Sequence, residues 1–253
     1  MRVRLPVNVV AFTVSGHRQK YLRATLDSWA AARGVQDWHL LFALEPCRLF
    51  FPVPEFTAWV RGAFASAQVS VADSRLGCLR NTRRALREAF ASGAGFAVLA
   101  EEDIVVSTDV LEYFRWAAGT YAGEGKVTAV CAHSLHAGSG DQAAVVQASW
   151  FSPIVWGTWA DRWREFIGPG WHASPGNSQS WDDHLRRRIN GAGRCSIFPV
   201  RSRSQHRGQT STLTPGPLAE WFYRQALSGT FTAARPPQSY REVPFTEDLG
   251  LIV

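Results

Sequence analysis

The chain has 253 residues, 46% of them apolar, which is enough to fill an ordinary globular core and excludes a disordered or fibrous protein. No apolar run reaches the roughly 18 residues of a membrane span, and MRVRLPVNVVAFTV passes into polar sequence without a signal-peptide cleavage site, so a soluble, cytoplasmic protein is expected. The net charge is +6, and every cation but Lys20 and Lys126 is arginine, a side chain suited to bidentate contacts with phosphate or carboxylate; a merely basic surface explains single arginines equally well.

Residues 7–14, VNVVAFTV, form an apolar, β-branched run that predicts a buried parallel strand. After the break SGHRQ, Leu22, Leu26 and Trp29 recur at helical spacing from Tyr21. WHLLFAL (38–44) predicts a second strand, FFPVPEF an irregular link, Ala58 to Ala67 a helix and QVSVA a short strand. The arginine-rich LRNTRRALREAFASG predicts a helix closed by glycine, and FAVLA another buried strand. STDVLEYFRWAA predicts a helix capped by Ser107 or Thr108, followed by the strand KVTAVCAH. The second half is tryptophan-rich and less regular, ending in the strand-like CSIFPV and the Gly-, Thr- and Pro-rich segment 205–217, expected as a lid. Strands alternating with helices predict an α/β fold with a mostly parallel central sheet and helices on both faces, built as one domain. Cys47, Cys78, Cys131 and Cys195 form no C-x-x-C pair, which signals neither a disulfide framework nor a zinc knuckle.

In such sheets ligands bind beyond the carboxyl ends of the strands. There the chain places three successive acids, Glu101, Glu102 and Asp103. Adjacent carboxylates repel unless solvated, paired with arginine or neutralised by a hard cation, and a divalent metal that also holds diphosphate would explain both their clustering and their position. A solvated turn capping the next helix explains the triplet alone equally well. A second acidic pair, Asp182 and Asp183 in SWDDHLRRR, suits the first turn of a helix capped by Ser180 on dipole grounds alone. A carboxylate there, in a Trp-lined cleft opposite a metal site, is also what a transferase needs to deprotonate a hydroxyl.

Four blocks carry a family resemblance. EEDIVVSTDVLEYF resembles the EDD segment and following helix of the N-acetylglucosaminyltransferase I family, whose fold is the nucleotide-sugar-binding GT-A type. WFSPIVWGTWADRWREF resembles that family's aromatic segment, WDDHLRRRINGAGRCSIFPVRSRSQHRG its W-D-D-W segment with the strand and loop behind it, and YREVPFTEDL its V-P-F-T tail. The blocks keep their order, and the resemblance is weakest over 45–75 and 135–148.

The resemblance implies a metal-dependent, inverting transfer of GlcNAc or another hexose from a UDP-sugar to an acceptor hydroxyl. Asp103 would hold manganese or magnesium on the donor diphosphate. Glu102 stands where the family has aspartate, near the ribose, Glu101 would face the transferred sugar, and Asp183 would be the general base. Ser15 to Arg18 corresponds to the uridine pocket with altered residues, and Arg75 and QHRGQTST would lie near the donor or its diphosphate. Residues 1–132 would then be the nucleotide-sugar half and 133–253 the acceptor half with the lid. The acceptor is expected to be a soluble small molecule or an oligosaccharide, as in a bacterial cytoplasm.

Further candidates stand beside these. His133 and His136 form H-x-x-H, and His206 is a further metal-ligand candidate that the family pattern does not require. The tryptophans at 150, 156, 159, 163, 171 and 181 suit a sugar-stacking platform or a core, and GSG at 138–140 lacks the context of a phosphate loop. Two other classes remain open: an arginine-rich nucleic-acid binder, whose binding would fall steeply with salt, and a nucleotide-sugar-binding scaffold without catalysis.

Overall fold

In the structure, a computed structural model, residues 7–15, 19–46, 52–134, 141–171, 181–208 and 239–245 are described. The first strand, β1 (Val7–Val14), pairs in parallel with β2 (His39–Leu44) on one side and with β4 (Ala94–Glu101) on the other. Val10, Ala11 and Phe12 are all buried because both faces of the strand are covered, which is why this stretch reads as continuous rather than alternating. β3 (Ala67–Val71) extends the parallel half beyond β2.

The other half departs from a purely parallel order. β8 (Trp156–Trp159) is antiparallel to both β4 and β6 (Val127–Cys131), and β7 (Ala144–Ala148) is antiparallel to β9 (Cys195–Pro199). With β11 (Arg241–Glu242) at the edge, the nine-stranded order is β11-β7-β9-β6-β8-β4-β1-β2-β3. Gly157 on β8 faces the ring of Phe96 on β4; an added Cβ would lie 2.5 Å from Cζ, so the aromatic fills the place of a side chain. A separate ribbon pairs β5 (Ile104–Val106) with β10 (Ser204–His206) in antiparallel register, His206 opposite Ile104.

The two faces of the sheet are packed differently. One stacks Phe12 on Phe42, ring centroids 4.7 Å apart, under α1 (Gln19–Ala30), α2 (Val53–Ala63) and α4 (Val110–Thr120). The opposite face presents Ala11, Ala43 and Ala97, so α3 (Cys78–Ala91) approaches closely through Ala85, Leu86 and Ala89. The same cluster continues into Trp156, Trp163, Trp171 and Trp181. These lead from the short helix α5 (Ala160–Arg162) and a π-turn (Trp163–Ile167) to α6 (Trp181–Gly191).

Two local expectations are corrected. The second helix occupies Val53–Ala63 rather than 58–67, because Pro54 sits in its first turn, where a missing amide hydrogen bond costs nothing. Residue Asp109, not Ser107 or Thr108, precedes the first turn of α4, and its carboxylate accepts a hydrogen bond from Ser107 Oγ at 2.6 Å. The glycine stop of α3 is present: Gly93 has φ 93, a conformation open to glycine.

Candidate active site

The carboxyl ends of β1, β2 and β4 lie side by side, and each delivers a polar residue to the same edge. At the end of β4 the acidic triplet does not point as one cluster. The Glu102 carboxylate is buried and accepts hydrogen bonds from the amide and hydroxyl of Ser15, at 2.7 and 2.5 Å. Its carbonyl accepts from Thr25 Oγ1 at 2.9 Å, which ties α1 to the same turn. Ser15 and Glu102, both expected at the nucleoside, are thus joined directly. Arg18 lies outside the described residues.

Asp103 is fully buried, and its Oδ2 lies 3.2 Å from Nε2 of His206. The β5–β10 ribbon makes this pairing, and the Arg207 amide donates to the Asp103 carbonyl at 2.8 Å. Gly208 then crosses so closely that an added Cβ would lie 2.2 Å from Asp103 Oδ2 and 2.6 Å from His206 Cε1. The first residues of the expected lid, 205–208, are therefore not a loose flap: Gln205 and His206 are buried and bound to β5. Residues 209–217 lie outside the description, as do His136, GSG at 138–140 and Ser180.

The pair fits a divalent cation. One carboxylate and one imidazole, buried together at a strand end, form a mixed oxygen–nitrogen donor set, and cations that work on diphosphates bind few protein groups and complete their shell with phosphate oxygens and water. Among the described residues no group of three His, Cys, Asp or Glu could hold a metal, so such a cation would depend on the substrate for its remaining ligands. His133 is buried nearby, its Nδ1 3.5 Å from Ser152 Oγ. Burial, with a smaller contribution from His206, pushes its pKa down to about 3 and keeps the ring neutral.

Glu101, half-buried, belongs to a second grouping with the start of α3 and α6. Trp181 lines one small cavity with Leu79 at the start of α3, and Thr82 Oγ1 lies 3.9 Å from the Cys78 sulfur. Cys78 is exposed as a residue, yet its sulfur is enclosed by these neighbours. Burial pushes the thiol up to about 12, and the charges of Glu101 and, more weakly, Asp182 push the same way. The charges of Glu101 at the end of β4 and Asp182 at the start of α6 thus both reach the thiol at the start of α3.

The two aspartates of α6 face different ways. Trp181, Leu185 and Ile189 form its buried stripe. At about 3.6 residues per turn, Asp182 flanks that stripe and Asp183 lies round on the outer face. There Asp183 pairs with Arg186 and, at 2.9 Å, with Arg187.

Other expectations fare unevenly. Trp156, Trp159, Trp163, Trp171 and Trp181 are buried, and Trp171 stacks on Trp181 at 4.8 Å, so these rings are core rather than a platform for sugars. Trp150 is half-buried, with the Arg186 guanidinium over its ring. Arg75 is exposed in the loop before α3. The next two amides of that loop, Leu76 and Gly77, donate to the buried carboxylate of Glu45 at 2.9 and 2.7 Å. Glu45 was not singled out from the sequence; the available signal was an acid directly after the apolar run of β2, the placement that marked Glu101 to Asp103.

No protein-family model and no curated protein sequence matches the chain. Among solved structures it is similar to S. aureus TarS 1–349 in complex with UDP-GlcNAc, with TM-score 0.53 and 11% identity over 77% of this chain and 55% of that one. It is similar to the mannosyltransferase PcManGT from Pyrobaculum calidifontis in complex with GDP-Man and Mn2+, with TM-score 0.53 and 16% identity over 78% of this chain and 55% of that one. It is also similar to GalNAc-T7 with UDP, GalNAc and Mn2+, with TM-score 0.57 and 10% identity over 84% of this chain and 45% of that one. The chain spans roughly half the length of the structures it matches, and what it shares with them is the GT-A fold: a large, mostly parallel sheet flanked by helices in one domain.

Proposed function

We propose that the chain is a divalent-metal-dependent, inverting glycosyltransferase that moves GlcNAc or another hexose from a UDP-sugar to an acceptor hydroxyl. The observation that carries this reading is the buried Asp103–His206 pair beneath Gly208, at the carboxyl end of the sheet. A manganese or magnesium ion held by these two residues would neutralise charge on the departing diphosphate. Ser15 and Glu102 hold each other at the nucleoside position, with Arg18 and Arg75 assigned to the donor, Glu101 to the transferred sugar, 1–132 to the nucleotide-sugar half and 133–253 to the acceptor half. His206 belongs to the second half, so the donor site draws on both. The nucleotide-sugar and Mn2+ complexes of the similar folds support this choice of ligands. No helix among the described residues is long and apolar enough to cross a membrane, and the acceptor is assigned to the soluble small molecules and oligosaccharides.

The general base comes from the first turn of α6. The resemblance assigns it to Asp183, which must release Arg186 and Arg187 to accept a proton. The geometry favours Asp182, which flanks the buried stripe and acts on the Cys78 thiol together with Glu101. Either carboxylate would take the acceptor proton as the hydroxyl attacks the anomeric carbon from the face opposite the leaving diphosphate, a contribution of about a hundred- to ten-thousandfold in rate. The test is a thermal-shift screen of nucleotide sugars with and without Mn2+. A UDP-sugar that stabilises the protein only with metal supports the reading, and no shift from any nucleotide sugar refutes it.

A further inference from the structure

Several arginines of this fold are held in buried polar networks. Arg84, Arg162 and Arg203 are occupied: each donates to backbone carbonyls and to a carboxylate. Arg188 and Arg194 are different. Both guanidiniums stack on the ring of Phe166, their central carbons 4.6 and 4.3 Å from its centroid. Arg194 Nη1 reaches the Gly125 carbonyl at 3.1 Å, and Arg188 Nη1 is buried against Gly170 with no hydrogen-bond partner among the described residues. Neither forms an ion pair among the described residues, and Glu165, next to Phe166 in the chain, is exposed and pairs with neither.

Two cations on one ring repel each other, and a buried N–H without an acceptor is rare in a folded protein. Burial and the charge of Arg194 both hold the Arg188 pKa below its ordinary range, as expected of a cation that lacks its counter-charge. We propose that Arg188, Arg194 and Phe166 form an acceptor subsite that binds a phosphate mono- or diester carried by the acceptor.

Position supports the assignment. Trp181, His184, Leu185 and Arg188 line one small cavity with Leu79 and Trp171, so a single strip of α6 leads from Trp181 at its start to Arg188, whose Phe166 ring also carries Arg194. Seven residues of helix span about 10 Å from Trp181 to Arg188, which leaves room along α6 for the reacting unit of an acceptor. Phosphate, with several anionic oxygens, suits a site that holds two cations better than a carboxylate, which one arginine can satisfy alone. The acceptor role rests on the transferase reading; the anion site does not.

The experiment measures binding to the full chain in EDTA by calorimetry, with inorganic phosphate, glucose 6-phosphate and glucose as probes, and separately records stabilisation by UDP with Mn2+. In the wild type, glucose 6-phosphate is expected to bind at least tenfold more tightly than either inorganic phosphate or glucose. In Arg188→Gln and Arg194→Gln that affinity should fall about tenfold or more, while Arg187→Gln, at an exposed arginine already paired with Asp183, keeps it. Gly170→Ala gives a variant of unchanged charge. Its Cβ would lie 1.3 Å from the present position of Arg188 Nη1, so the flexible guanidinium must move and phosphate affinity should drop. Equal phosphate-ester binding in wild type, Arg188→Gln and Gly170→Ala overturns the proposal. Equal affinity for inorganic phosphate and glucose 6-phosphate overturns the acceptor subsite. Loss of the UDP shift with phosphate-ester binding intact would refute the transferase reading and leave the anion site standing.

Discussion

Asp103 Oδ2 and His206 Nε2 sit 3.2 Å apart, brought together by a three-residue ribbon whose other strand enters from the far half of the chain. Because β10 pairs with β5 and the Arg207 amide donates to the Asp103 carbonyl, the backbone fixes the imidazole against the carboxylate. Gly208 closes the arrangement from above.

That closure gives the first prediction. Gly208→Ala should abolish Mn2+-dependent stabilisation by a UDP-sugar as completely as Asp103→Ala does, since its Cβ would fall 2.2 Å from Asp103 Oδ2. His206→Ala should weaken Mn2+ affinity at least tenfold and leave metal-free folding intact. Metal titration by calorimetry, with circular dichroism as the folding control, reads both.

Cys78 reports which aspartate faces the site. With its thiol pushed up to about 12, only a trace is thiolate at pH 8, and iodoacetamide should react about a thousandfold more slowly than with an ordinary thiol despite the residue's exposure. Removing a neighbouring negative charge lowers the pKa, so Glu101→Gln and Asp182→Asn should accelerate alkylation and Asp183→Asn should not. Acceleration by Asp183→Asn alone would place that residue, not Asp182, toward the cleft. Asp182→Asn and Asp183→Asn, assayed for transfer, identify the base by a rate loss of a hundredfold or more.

Glu102 ties β4 to β1 through both Ser15 donors. Replacement by glutamine removes a charged acceptor from a buried pair of hydrogen bonds, and Glu102→Gln should cost about 1.5–3 kcal/mol in urea unfolding. Ser15→Ala should cost less, because the amide donor remains, and should raise KM for the donor without altering kcat.

A structural ion pair allows a contrasting test. Arg203 and Asp109 are both buried at 2.8 Å, and Tyr240 also donates to the aspartate. Arg203→Met strands a buried carboxylate and should cost about 3–5 kcal/mol, whereas the double variant with Asp109→Asn should recover much of that loss. Equal losses in the single and double variants would mean that the pair is not coupled.

The sequence by itself determined the parallel half of the sheet and the residues at its edge. The apolar runs of β1, β2 and β4 are legible because strands buried on both faces need continuous hydrophobicity, and acids directly after such runs stand out. Glu45 carried the same signal, alone rather than in a cluster. The antiparallel half was legible only in β6 and β9, within KVTAVCAH and CSIFPV: WGTW and SQH have no strand-like pattern, and β8 and β10 exist because β4, β6 and β5 offer open edges to them. Tertiary structure alone paired His206 with Asp103, sent the tryptophans into the core, and turned Asp183 outward toward two arginines while Asp182 stayed beside the buried stripe. Adjacent residues on a helix share a sequence signature but not a direction, and only the packing of Trp181 against Trp171 sets which of them lies beside the buried stripe.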